Sequence, residues 1–253
     1  MIRRRRFGFG ELLAAVGLVA VVAASGLAGP ARGAECAVPP ELRPTDVNLP
    51  HLRERIAAHQ PVTIVAVGGA STFGAAAGSP DLAYPHRLQE ALAEWLTTEP
   101  VTVVNKGVPR QTAQQMVARF PSDVFAEDPV LVIWEAGISD AVQGIEIDDF
   151  AAALQSGIDE LKNRTIDTIL VDMQFSRSTS TVIDFERYLN TLHRAGEIND
   201  VFVFPRYQMM RYWSEQNVFN FDEVAKEERA KLAARVYECI GRKLAQTIRL
   251  AIQ

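Results

Sequence analysis

Val62-Thr63-Ile64-Val65-Ala66-Val67-Gly68-Gly69-Ala70-Ser71-Thr72-Phe73-Gly74 is the stretch on which the fold turns. Its first six residues are apolar or β-branched with no polar alternation, which reads as a strand buried on both faces. Two glycines end the strand, and a short turn leads towards the next amphipathic stretch. The same unit recurs along the chain. Val101 to Val104, Val130 to Trp134, Thr168 to Val171 and Val201 to Phe204 read as four further strands. Pro85 to Leu96, Thr112 to Phe120, Asp148 to Leu161 and Phe185 to Ala195 read as the helices between them. Glu223 to Ala251 reads as a long closing helix, with Leu232, Val236, Ile240, Leu244 and Ile248 at spacings of four. Short apolar strands alternating with helices specify a parallel sheet covered on both faces. Right-handed crossovers then predict an α/β, three-layer, flavodoxin-like fold with a five-stranded parallel sheet. In such sheets the working loops lie at the carboxyl ends of the strands.

Three of those loops carry the informative residues. The first runs from Gly68 to Gly74, the second is Asn105-Lys106-Gly107-Val108-Pro109-Arg110-Gln111-Thr112, and the third is Trp134-Glu135-Ala136-Gly137-Ile138-Ser139-Asp140. In order and spacing they resemble the blocks of the SGNH (GDSL-type) hydrolase superfamily. That family has Gly-Asp-Ser-x-Thr after the first strand, Asn-x-Gly after the second, Gly-x-Asn-Asp after the third, and Asp-x-x-His before the last helix. The segments around Val171-Asp172-Met173-Gln174-Phe175, Phe204 to Trp213 and Tyr237-Glu238-Cys239-Ile240 resemble a bacterial exported branch of it. The resemblance implies a serine nucleophile activated by a histidine that an aspartate orients. It also implies an oxyanion hole made by the serine amide, the block-two glycine amide and the block-three asparagine.

Several of those positions are occupied by other residues. Thr72 and Gly74 set the register of the first block, so the nucleophile position falls on Ala70, which has no hydroxyl. Gly107 keeps the oxyanion glycine, and Ser139 stands where the family has asparagine, with a shorter hydroxyl donor. No histidine follows His193. Alignment on Tyr237 and Cys239 puts the aspartate position on Glu228 and the histidine position on Lys231, and a shorter alignment puts them on Asp222 and Ala225. Ser71 is the alternative nucleophile, with Lys231 as its conceivable base, and the competing reading has Ser71 capping the turn and Lys231 in solvent. Asp140 and Thr72 are candidate binding residues, Asp140 by holding a backbone amide of the first loop. His193 is expected on a solvated helix surface and His86 at the start of the first helix. Tyr207, Met209, Met210, Tyr212 and Trp213 are expected as core or as the wall of a ligand cleft.

With nucleophile, base and one oxyanion donor absent together, two functions remain open. One is a protein without ester hydrolysis, or strongly impaired in it, that binds an acyl ester, an acylated glycan or an envelope lipid, or pairs with an active paralogous hydrolase. The other is an esterase or deacylase with a rearranged site using Ser71. A scaffold whose cleft is filled by Phe73, Trp134 and Met173 is a third reading. No metal spacing, dinucleotide fingerprint or phosphate loop is present, so no cofactor is expected. A net charge of −5 without a basic stripe argues against a nucleic-acid partner.

The amino-terminus has a different character. Arg3-Arg4-Arg5-Arg6, the apolar run Leu12 to Leu27 and the small-residue stretch Gly29 to Ala34 follow the plan of a secretory signal, expected over residues 1–34. The general secretory and twin-arginine routes both fit, and an uncleaved anchor is the alternative, the one expected contact with a membrane. Residues 35–60 then form an amino-terminal extension and residues 61–253 the hydrolase-like domain, in the periplasm or outside the cell. In that compartment Cys36 and Cys239 are expected as a disulfide, against the alternative of two unrelated buried thiols. On the chain-entropy model such a bridge contributes roughly 4–5 kcal/mol.

Overall fold

A computed structural model describes residues 35–177 and 183–253. The segment expected as a secretory signal lies outside the described residues. Five parallel strands form one sheet in the order β2-β1-β3-β4-β5, with β1 at Val62–Gly68, β2 at Val101–Gly107, β3 at Leu131–Glu135, β4 at Asp167–Val171 and β5 at Phe202–Phe204. This is the flavodoxin-like order, in which the chain reverses its direction of winding between β1 and β3.

Helices cover both faces, as the continuous apolar strands require. Ten α-helices are considered: α1 (Pro50–Ala57), α2 (Ala70–Phe73), α3 (Tyr84–Ala93), α4 (Ala113–Ala118), α5 (Phe120–Asp123), α6 (Ile138–Gln143), α7 (Ile147–Lys162), α8 (Phe185–Asn199), α9 (Arg206–Glu215) and α10 (Arg229–Ala251). On one face Ile64, Ile133 and Ile169 pack with Leu88 and Leu92 of α3 and with Ile240 and Leu244 of α10. On the other, Val65, Val132 and Leu170 pack with Met116 of α4, Leu154 and Ile158 of α7, and Leu192 of α8. Alternate strand residues thus feed two separate cores.

The strands and main helices lie where apolar periodicity places them. Two differences have local causes. The closing helix starts at Arg229 rather than Glu223, because Ala225 is extended and a single 3-10 turn occupies Lys226–Glu228. The aromatic stretch after β5 is itself the helix α9, with Met209 and Trp213 buried four residues apart on one side. Residues 35–60 are tied onto the domain. Cys36 and Cys239 form a disulfide across 203 residues, Leu49 and Leu52 are buried, and Trp213 Nε1 donates to the Ala37 carbonyl at 2.8 Å. Among the described residues no helix is long and apolar enough to cross a membrane.

Candidate functional site

The reversal between β1 and β3 opens a crevice at the carboxyl ends of the strands, the usual ligand position in this architecture. There the chain leaves β1 through Gly68-Gly69 into the single turn α2. Close packing dictates the glycines. A Cβ on Gly68 would collide with Thr72 Oγ1 and sit 2.8 Å from Glu135 Cβ. A Cβ on Gly107 would collide with the Phe73 amide and sit 2.6 Å from the Thr72 carbonyl carbon.

Beneath α2 lies a buried polar cluster. Glu135, the last residue of β3, accepts from the Thr72 amide at 3.0 Å and, through the same oxygen, from the Thr72 hydroxyl. That hydroxyl lies 3.0 Å from the Tyr84 hydroxyl. The other oxygen of Glu135 accepts from Arg206 at 3.0 Å, and both side chains are almost fully buried. Burial works against the Arg206 charge, but Glu135, Tyr84 and Asp172 hold its pKa above the ordinary value. Burial first, and then the Glu135 charge, push the Tyr84 hydroxyl well up, so it stays a neutral donor. Asn105 completes the frame, giving its side-chain amide to the Thr72 carbonyl at 2.7 Å and accepting from the Gly107 amide at 2.9 Å.

Above this cluster a cavity of about 420 Å³ is lined by Ala70, Ser71, Arg110, Ile138, Ser139 and Gln174, among others. Ala70 presents a methyl group to it. Ser139 lies beside the first loop, its Oγ 3.9 Å from where a Gly69 Cβ would be, and its hydroxyl has no protein partner among the described residues. The amide of Gly107, expected as an oxyanion donor, donates to Asn105.

The structure corrects the expectations for Thr72 and Asp140, and of the two readings of Ser71 and Lys231 it agrees with Lys231 in solvent. Thr72 does not face the cleft. Two residues beyond Ala70 on a helical turn, it points down into the Glu135 cluster. Asp140 holds a backbone amide, but that of Ala113 at the start of α4, at 3.0 and 3.2 Å, rather than one in the first loop. Burial raises its pKa, and the Ala113 bond opposes the shift. Ser71 donates to Gln174 Oε1 at 2.7 Å and lies beside the Tyr237 hydroxyl, which burial keeps protonated. No histidine or lysine lines the cavity with it. Glu228 and Lys231 pair with each other at 2.9 Å, exposed at the start of α10, because the late helix start leaves this turn in solvent. The shorter alignment fares no better, with Asp222 and Ala225 both exposed. The filled-cleft reading also fails: Trp134 and Met173 belong to the second core, and Phe73 is 42 % exposed.

Reading residues one at a time missed two buried ions. Glu135 and Arg206 stand 71 positions apart, each at the carboxyl end of a strand where a charge follows an apolar run. Asp172 is likewise buried just past β4. It accepts from the Tyr207 amide at 2.7 Å and meets His193 Nε2 at 3.0 Å, so His193 is half-exposed but tethered. Neither lines the cavity at Ala70. His86 lies in the first turn of α3, paired with Glu90.

The Non-GDSL lipase-like family model matches residues 35–253. The chain belongs to this family. No curated protein matches it. Among solved structures, this family member is similar to Axe2, an acetylxylan esterase from Geobacillus stearothermophilus, at 18% identity and a TM-score of 0.55, over 70% of this chain and 94% of that one. It is equally similar to TesA, at 18% identity and a TM-score of 0.55, over 73% and 99% of the two chains. A GDSL-like lipase from Parabacteroides merdae matches at 15% identity and a TM-score of 0.54, over 72% and 97%. At such identities the likeness is one of fold. One solved form of Axe2 is a catalytic mutant with alanine in place of a serine, and its similarity to this chain is of the same order, with a TM-score of 0.54. The three-layer SGNH fold expected from the sequence is therefore the fold of this family member.

Proposed function

We propose that this protein binds an acyl-bearing ligand in the cleft at Ala70 and does not hydrolyse it. It works outside the cytoplasm, and the acyl group belongs to an ester, an acylated glycan or an envelope lipid. The observation that carries the reading is the lining of the cleft. A methyl group occupies the nucleophile position, no imidazole or amine lines the cavity, and a free serine hydroxyl remains to receive a polar oxygen. Losing nucleophile and base together removes nearly the whole contribution of a triad, leaving binding and residual oxyanion terms. Ser71 lacks a base and is committed to Gln174.

The test uses mature protein, residues 35–253, with short-chain p-nitrophenyl esters and a fluorophosphonate probe. The expected result is turnover no higher than that of Ser71→Ala and no labelling, with saturable binding of acyl ligands by calorimetry. Turnover abolished by Ser71→Ala, or labelling of Ser71, overturns the reading. So does the absence of binding to every acyl ligand tried.

A further inference from the structure

Resting on the binding role just proposed, we infer that of those ligands the cleft takes the lipid in its free fatty-acid form: it selects an aliphatic carboxylate over its ester, with Arg110 as the counter-charge and the chain directed past Gln174 towards a second, aromatic chamber. Three observations converge on this.

The first is charge. Arg110 is the one charged residue among those lining the cavity at Ala70. Its guanidinium has no carboxylate or hydrogen-bond partner among the described residues, and Gln143 holds its backbone carbonyl at 2.8 Å. The nearest acid in sequence to the cleft wall, Asp140, is buried and turned onto the Ala113 amide. An exposed cation at the mouth of a cavity that also holds a free serine hydroxyl and the apolar side chains of Ile138 and Val142 matches a carboxylate better than a neutral ester. An esterase has no use for such a charge on its acyl group, whereas a carboxylate receptor does.

The second is backbone geometry. Arg110 has φ +66°, a conformation uncommon for a residue with a side chain. Strained positions of this kind cluster at ligand sites, where the surroundings fix them.

The third is proximity. Gln174 lines both this cavity and a neighbouring one of about 250 Å³ whose walls include Phe175, Met210, Trp213, Phe219 and Phe221. That second chamber lies between α9, the start of α10 and the segment after β4, with polar residues between its aromatic ones. Its rim carries Arg177 and Arg229 beside Asp222. The aromatic walls suit the alkyl chain, which leaves the polar head to Arg110 and the Ser139 hydroxyl.

Octanoate, methyl octanoate and butanoate are titrated calorimetrically into the mature protein. Octanoate is expected to bind about ten-fold tighter than its methyl ester, the scale of one charge-assisted contact. Arg110→Asn, which tolerates the same backbone conformation, should erase that preference, and Arg110→Lys should restore most of it. Ala76→Phe, at an exposed position on the chamber wall, should remove the advantage of octanoate over butanoate and leave butanoate unchanged. Equal binding of acid and ester, or a preference that survives Arg110→Asn, overturns the inference while the acyl-binding role stands. Failure of all three ligands to bind overturns both.

Discussion

Two polar regions sit at the same edge of the sheet and differ in almost every physical respect. Under α2, Glu135, Arg206, Thr72 and Tyr84 are buried and bonded to one another, and Asn105 ties the next loop to them. At the start of α10, Glu228 and Lys231 pair in full contact with water. The first region sets the shape of the cleft. The second, where one alignment with the superfamily puts its acid and base, is an exposed ion pair of the kind that contributes little to stability. The contrast separates the framework of the cleft from groups at the protein surface. Framework groups are buried, so removing one leaves an uncompensated polar group. Reactive groups sit at the mouth, where replacement costs the fold little.

Five variants bear on this contrast. Glu135→Ala leaves the Arg206 charge buried and unpaired, and should lower stability by roughly 3–5 kcal/mol in urea unfolding. Replacing both partners, with Glu135→Leu and Arg206→Met, should recover most of that loss. A single substitution costing under about 1 kcal/mol would mean the buried pair does not hold the cleft.

The middle of α10 is anchored even though its beginning is not. Removing the disulfide by Cys36→Ser with Cys239→Ser should cost about 2–5 kcal/mol. Thiol titration of the unreduced, denatured mature protein should find no free cysteine.

Asp172 offers a pH-dependent test of the buried layer. Burial raises its pKa, against the opposing bonds from His193 and the Tyr207 amide. The folded chain therefore holds this proton more tightly than the unfolded chain. The carboxyl's stabilising contribution is complete below the ordinary aspartate value of about 3.9 and is lost as pH rises through the folded value. Stability of the wild type relative to Asp172→Asn should fall across that window, as followed by thermal melts at stepped pH. A difference that stays flat would remove Asp172 from the strained layer. The smallest effect is expected at the exposed pair, where Lys231→Ala should change stability by less than about 0.5 kcal/mol and leave ligand binding unaltered.

Much of this molecule was legible before any coordinates. The run Val62 to Val67 and its four counterparts announce strands because burial on both faces demands continuous apolar side chains. The fourfold spacing of Leu232 to Ile248 announces a helix because 3.6 residues per turn stacks those positions on one stripe. The two cysteines at opposite ends of one domain pointed to the bridge that Cys36 and Cys239 form. The start of α10 was misjudged because charged residues such as Glu223 and Lys226 suit a helix and a solvated turn equally well.

What could not be read from residues in order is which of them meet. Ser71 and Gln174 are 103 positions apart, and Glu135 and Arg206 are 71 apart. Periodicity and composition report on neighbours within a turn or a strand. Long-range pairs depend on which strand lies beside which and on how each loop closes over the sheet edge. That packing turned Thr72 inward, sent Asp140 to Ala113 and left Lys231 in solvent. It also placed Gln174 on the wall of both the cavity at Ala70 and the aromatic chamber. That Ala70 follows Gly68-Gly69 and that no histidine follows His193 are properties of the residues in order, and the shape of the cleft is a property of their packing.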